Sequence, residues 1–154
     1  MACEEFIEGY LRRGLLKRQK SNYQAVEKLI LRAHKDLNIS RANLSIDEGT
    51  AYTIAYTAML RAGRALILLK GFRPSDGYQH KTVVEFTACL LGEKFKTIVE
   101  RFDKMRKKRN VFTYEIDISI SRTEANNALN IAERFVDLIK NIVKKENPQI
   151  EFKF

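Results

Sequence analysis

The sequence predicts an all-α protein, an antiparallel up-and-down four-helix bundle with an accessory N-terminal helix or arm. Three observations predict it. Apolar residues recur at steps of three and four through most of the 154 residues. Three of these stretches are preceded by the S-x-x-E/Q signature, in which two side chains satisfy backbone donors left free at a helix start. The connections are short, and no segment sustains the alternation of a strand.

Residues 4–18 carry Phe6, Ile7, Tyr10, Leu11 and Leu15 at helix-compatible steps, interrupted by Gly9 and Gly14, and read as a short helix or arm. Ser21 to Gln24 forms the first capping signature. Behind it Val26, Leu29, Ile30, Ala33 and Leu37 make one stripe, which predicts a helix from about 22 to about 38. Ser45 to Glu48 forms the second signature and opens the alanine-rich TAYTIAYTAMLRAGRALILLKG. There Ala51, Ala55, Ala58, Ala62 and Ala65 line one seam that lets a neighbouring helix approach closely. Gly71 suits a left-handed cap and Pro74 blocks continuation, so this helix is expected to end near Lys70, with a loop over 72–79. The helical pattern resumes at His80, breaks at Gly92, and returns with Phe95, Ile98, Val99, Phe102 and Met105. Residues 115–120 read as a connector, extended in part. Ser121 to Glu124 is the third signature, starting a helix with Ala125, Ala128, Leu129, Ala132, Phe135, Val136, Ile139 and Val143 on its seam and Pro148 beyond its end. The chain reads as one domain over 1–154, with its core at about 21–146. The 147–154 tail, with Ile150, Phe152 and Phe154, either frays or lies across the bundle or a partner.

A hydrophobic content of 45% is enough for one core at this length. The 28 basic residues against 19 acidic ones leave a formal charge of +9, which favours an anionic partner such as RNA, DNA or a nucleotide. The opening MACEEFIEGY lacks the regions of a signal peptide, and no apolar run approaches the length of a membrane span. Cys3 and Cys89, without a short-spaced motif, suggest neither a disulfide scaffold nor a metal knuckle, and a cytoplasmic protein is expected. No cysteine, histidine and carboxylate set has metal-ligand spacing, and Gly63, Gly71 and Gly77 form no phosphate loop. Neither metal nor cofactor is expected, and no membrane partner.

The stretch that carries chemistry is Lys104 to Glu115, KMRKKRNVFTYE. On a helix Arg106, Asn110 and Tyr114 stand at successive four-residue steps, beside the Arg109 and Thr113 pair. One face thus carries guanidinium, amide, hydroxyl and phenol, groups that fork onto phosphate oxygens and stack on bases. The same run also suits a solvated helix face. Because the apolar stripe from Phe95 to Met105 leads into it, the helix that carries the motif also belongs to the core.

With these pieces in place the sequence resembles the HEPN family of small helical-bundle proteins. The likeness runs over most of the chain, and its clearest parts are AYTIAYTAMLRAGRALILLKGFRP, the following YQHKTVVEF, and the arginine-asparagine step of KKRNVFTYE. The resemblance implies a four-helix bundle, commonly a homodimer whose motif helices meet at the two-fold axis. Many members are metal-independent ribonucleases of defence and toxin-antitoxin systems, using an arginine, a polar residue and a histidine four to six positions after the arginine. Others work beside a small nucleotidyltransferase. Arg109 matches the arginine and Asn110 the polar residue, whereas Tyr114 stands at the histidine position.

That departure bears on catalysis. Histidine handles protons near neutral pH, while a tyrosine of ordinary pKa ~10 is a poor base there. Arg109 would still neutralise charge on a phosphorane. The candidate catalytic set is Arg109, Asn110 and Tyr114, and the candidate ligand-binding set is Arg106, Thr113, His80 and Lys81. His80 opens a helix and would reach the site in a dimer or serve as a cap. Tyr78 and Lys81 flank it, and Arg61 and Arg64 would face the same groove or form a polar surface. Two functions follow from the resemblance. One is a homodimer that binds RNA or a nucleotide and acts as a toxin-type ribonuclease; the other is a non-catalytic module partnering a nucleotidyltransferase. Whether the chain is an enzyme is left open by Tyr114.

Overall fold

A computed structural model of the chain describes residues 2–75, 79–150 and 152. Among these residues the protein is mostly helical, with six α-helices, one 3-10 turn and one pair of short strands. In chain order they are α1 (Ala2–Arg12), β1 (Leu16–Arg18), α2 (Tyr23–Asn43), α3 (Glu48–Leu69), β2 (Phe72–Pro74), α4 (Gln79–Leu91), the 3-10 turn Glu93–Phe95, α5 (Lys96–Tyr114) and α6 (Arg122–Glu146).

Helix α3 is the centre. It packs most extensively against α2 and α6, and also meets α4 and α5. Its seam explains why: Ala51, Ala55, Ala58, Ala62 and Ala65 are all fully buried, and small side chains let several helices close on one. The α6 stripe from Ala125 to Val143 is likewise buried. An ion pair crosses from α3 to α2, where Arg61 Nη1 donates to Asp36 Oδ2 at 2.6 Å. Burial pushes the Asp36 carboxyl up, and Arg61 and Arg32 partly counter it.

The local signals divide. Ser121 caps α6 as expected, in a complete capping box with Glu124. Helix α2 is instead capped by Asn22, whose Oδ1 accepts from the Gln24 and Ala25 amides at 2.9 and 3.3 Å, one residue later than the expected Ser21. Helix α2 also extends to Asn43, past the expected end near 38. The N-cap of α3 is Asp47 rather than Ser45, and the Thr50 hydroxyl donates to its carboxylate. Gly71 and Gly92 hold φ of 91° and 76°, the left-handed conformation that ends α3 and separates α4 from the 3-10 turn.

Two features were not expected. Within the segments read as an arm and a loop, β1 and β2 pair antiparallel, Lys17 opposite Arg73. Cys3 of α1 is joined to Cys89 of α4 in a disulfide 86 residues apart in sequence, so these cysteines are not two separate thiols. The tail lies on the core in part, with Ile150 buried and Phe152 packed beside it under the Lys140 ammonium. Phe154 lies outside the described residues.

Two variants test this packing. A Cβ added at Gly63 would stand 2.7 Å from Val83 Cγ1 and 3.2 Å from Thr87 Oγ1, both buried on α4. Gly63→Ala is therefore expected to cost about 1–2 kcal/mol in chemical denaturation despite alanine's better helix propensity. Arg61→Met leaves Asp36 buried without its closest cation and should cost about 2 kcal/mol at neutral pH, below the value for a wholly buried pair because Arg61 is partly open. Since the Asp36 pKa is raised, its carboxyl is easier to bury once protonated, so the deficit of Arg61→Met should shrink as pH falls.

Candidate functional site

Helix α5 carries the whole basic motif, and its buried side (Val99, Phe102 and Met105) sets how the polar residues project. Exposure rises along the motif face. The Arg106 side chain is only 15% exposed, Arg109 and Asn110 are half-buried, and Tyr114 at the end of the helix is 79% exposed.

Each motif residue has a definite set of contacts. Arg106 donates to Asp103 Oδ1 through Nε at 2.9 Å and through Nη2 at 2.9 Å, and Lys107 approaches Asp103 Oδ2 at 3.2 Å. Burial alone would raise the Asp103 pKa, but the hydrogen bonds from Arg106 and Lys107 outweigh it and hold the carboxyl below its ordinary value. Arg109 Nη1 donates to Asn110 Oδ1 at 3.4 Å. The Thr113 hydroxyl donates to the Arg109 carbonyl at 2.8 Å, so its proton is used by the helix backbone. Lys108 reaches Glu124 at 3.3 Å.

Helix α4 brings His80 to this face. Its Nδ1 stands 2.9 Å from the Tyr56 hydroxyl of α3, and the two rings lie 5.7 Å apart between centroids. Tyr56 is itself fully buried and packs at a tilt against Phe102 of α5, centroids 5.8 Å apart, which in turn meets Phe135 of α6 at 5.0 Å. A series of rings thus crosses four helices and ends in an imidazole. Burial lowers the His80 pKa, and Arg109, Arg64 and Arg106 lower it further, so the ring is neutral at pH 7. Burial also pushes the Tyr56 phenol well above its ordinary range.

Arg64, two turns after Tyr56 on α3, completes the cluster. One of its terminal nitrogens donates to Gln79 Oε1, while its buried Nε has no partner among the described residues. Among the described residues neither Arg64 nor Arg109 pairs with a carboxylate. Lys81 is largely exposed, approaches Glu85 at 3.7 Å, and lines a groove of about 760 Å³ between α4 and α5 with Asp103, Arg106 and Lys107, so that Arg106 borders this groove as well. The Cys3–Cys89 pair also lines that groove. Tyr78 lies outside the described residues. Among the described residues no group of three or more His, Cys, Asp or Glu side chains is arranged to hold a metal, and no helix is long and apolar enough to cross a membrane.

Of the residues singled out in the sequence, Arg106 and Arg109 bear electrostatically on His80, as does Arg64, and Asn110 joins them through its hydrogen bond with Arg109. Tyr114 and Thr113 sit farther along α5, and Lys81 belongs to the groove. Arg61 is occupied by Asp36. Sequence reasoning missed Tyr56 and Asp103. A large hydroxylated ring inside an alanine seam was the available sign of Tyr56, and Asp103, three residues before Arg106, was the available sign of its ion pair.

The fold and this cluster define a helical domain that carries guanidiniums and an amide on its motif helix, with a neutral imidazole on a neighbouring helix. The family model described as HEPN domain matches residues 26–142, and the chain belongs to that family. A search of curated proteins and a search of solved structures each returned no match. HEPN membership is consistent with an RNA- or nucleotide-directed function.

The electrostatics have a measurable consequence. Because the folded His80 pKa lies below the unfolded value of 6.5, its contribution to stability is complete above that pH and is lost as pH falls through the folded pKa. The imidazole NMR signal that disappears in His80→Gln should titrate below pH 6.5, and that variant should lose less thermal stability than the parent on acidification below 6.5. A His80 ring protonated at pH 7 would contradict the arrangement.

Proposed function

We propose that this HEPN domain binds the phosphate of RNA or of a nucleotide through Arg106, Arg109 and Asn110, with Arg64 behind them, and acts as a metal-independent endoribonuclease of the toxin type. The observation that carries the reading is that Arg64, Arg106 and Arg109 all bear electrostatically on a neutral His80, while among the described residues Arg106 alone of the three is matched to a carboxylate. Guanidiniums held together without enough counter-charge form a site for an anion, and their planar forks suit phosphate oxygens. The protein would work in the cytoplasm as a homodimer built from up-and-down four-helix bundles, the motif helices meeting so that two such clusters share one strand. Val111, Tyr114 and Ile116, apolar or aromatic and exposed at the end of α5, support a contact there.

One observation favours a second reading. Tyr114 stands where active relatives would carry histidine and offers an accessible phenol, as a substrate for a partner nucleotidyltransferase would. In that case the domain is a non-catalytic interaction module of a toxin-antitoxin or defence system. Mass added at Tyr114 after co-expression with such a transferase would favour this reading, and failure of the two proteins to co-purify would count against it.

The binding reading is tested with a fluorescent single-stranded RNA in EDTA. Affinity should fall steeply as salt rises, and Arg109→Ala should weaken binding by about tenfold while reducing the slope of log K against log salt by about 1. Binding that ignores both salt and Arg109 would remove the proposal.

A further inference from the structure

The motif helix has no imidazole, yet the site has one. We propose that His80 of α4, positioned by Tyr56 of α3, is the proton acceptor of this site, doing from a different helix what Tyr114 cannot do from α5. The inference rests on the phosphate-binding reading above and adds to it the identity of the group that moves the proton.

Three features of the geometry carry it. First, the Tyr56 hydroxyl lies 2.9 Å from Nδ1, which leaves Nε2 as the ring nitrogen available to a ligand. Tyr56 cannot easily shift, since it is fully buried and packed against the Phe102 ring, so the imidazole is oriented by the core and not by a mobile surface contact. Second, the groups facing His80 are those that manage phosphate charge. Arg64 approaches from α3, and Arg106 and Arg109 from α5, with Asp103 bound to Arg106; on α4 itself Lys81 is engaged with Glu85. Third, the buried Nε of Arg64 has no partner among the described residues, a cost that an arriving phosphate oxygen would relieve.

The chemistry balances without a metal or any other reactant. In the tautomer required, Nδ1 carries the hydrogen and donates to the Tyr56 oxygen, and the Nε2 lone pair is free. The RNA 2′-oxygen bonds to phosphorus as its proton passes to Nε2, and the guanidiniums of Arg109 and Arg64 meet the charge that builds on the phosphoryl oxygens. The bond from phosphorus to the 5′-oxygen then breaks, that oxygen takes a proton from water, and the hydroxide left behind removes the Nε2 proton, which restores neutral His80. The products are a 2′,3′-cyclic phosphate and a 5′-hydroxyl. Tyr56 accepts the Nδ1 hydrogen bond before and after proton transfer, so no tautomer change is needed. His80 is the catalytic residue in this scheme and Tyr56 is a positioning residue.

The experiment uses the intact protein, a single-stranded RNA and its fully 2′-O-methylated copy, which can bind but cannot supply the 2′-proton. Cleavage in EDTA should leave a 2′,3′-cyclic end. His80→Gln should lower kcat about 100-fold or more and abolish the acid limb of the pH profile, while holding affinity for the methylated strand within about threefold. Tyr56→Phe, nearly isosteric, should lower kcat by about tenfold, the scale of one hydrogen bond, with little change in KM. It should also move the acid limb to lower pH, because the imidazolium loses its acceptor. Far-UV circular dichroism and thermal melts confirm that both variants are folded. His80→Gln cleaving like the parent would overturn the proposal. So would a parent protein that binds the methylated strand but never cleaves RNA, and that result would leave phosphate binding standing. Absence of any salt-sensitive binding would remove both readings.

Discussion

Four rings in series, Phe135 of α6, Phe102 of α5, Tyr56 of α3 and His80 of α4, tie the core to the site. Flat side chains at centroid spacings of 5.0 to 5.8 Å constrain both the distance and the rotation of the helices that carry them. The first three are fully buried, so the arrangement is enforced by hydrophobic packing rather than by exposed polar contacts. Gly63, seven residues after Tyr56, lets α4 lie close to α3 on the same side of the helix, with Val83 and Thr87 filling the space a Cβ would need. The consequence is that the orientation of one polar ring at the surface is decided by apolar contacts well inside.

The same packing explains the charge state of that ring. Burial disfavours an imidazolium, and three guanidiniums within electrostatic reach disfavour it more. His80 also sits in the first turn of α4, where the helix macrodipole acts with the same sign. Among the described residues only Arg106 of the three cations meets a carboxylate, and it shares Asp103 with Lys107. The site is therefore cationic without being crowded by its own counter-ions, whereas much of the remaining basic surface is not. Arg41 pairs with Glu133, Lys70 with Glu146 and Lys108 with Glu124, so the formal +9 is a poor guide to where an anion would settle.

What could be read from the sequence was what repeats along a single helix. The alanine seam of α3, the apolar stripe of α6, the Ser121 box and the stops at Gly71 and Gly92 all depend on neighbours within a few residues, and each stands as expected. The caps at Asn22 and Asp47 show the limit of that reading. In Ser21-Asn22 and again in Ser45-Ile46-Asp47 two good capping residues compete, and the helix register that suits the core selects between them. The β1–β2 pair and the Cys3–Cys89 link depend on where chain segments meet, which no local pattern encodes. The site divides along the same line. Arg106, Arg109 and Asn110 were legible because they are spaced on one helix, but their partnership with Tyr56, Arg64 and His80 is a matter of packing between helices.

Placing guanidiniums and imidazole on separate helices changes how this site can fail and how it can be controlled. When both lie one turn apart on the same helix, a local helical backbone is enough to assemble them. Here assembly requires α3, α4 and α5 to be packed together, with Gly63 and Tyr56 as the contacts that set α4. The disulfide from Cys3 to Cys89 holds α1 against the far part of α4, and Phe6 reinforces it by stacking on Phe86. Helix α4 is thus held from two sides, by α1 and by α3. The arrangement also leaves Tyr114 outside the cluster at the end of α5, where its phenol can engage another molecule without disturbing the Tyr56–His80 hydrogen bond. If the site takes its imidazole from α4, it does not need a histidine at position 114, and the exposed tyrosine there is open to a separate contact.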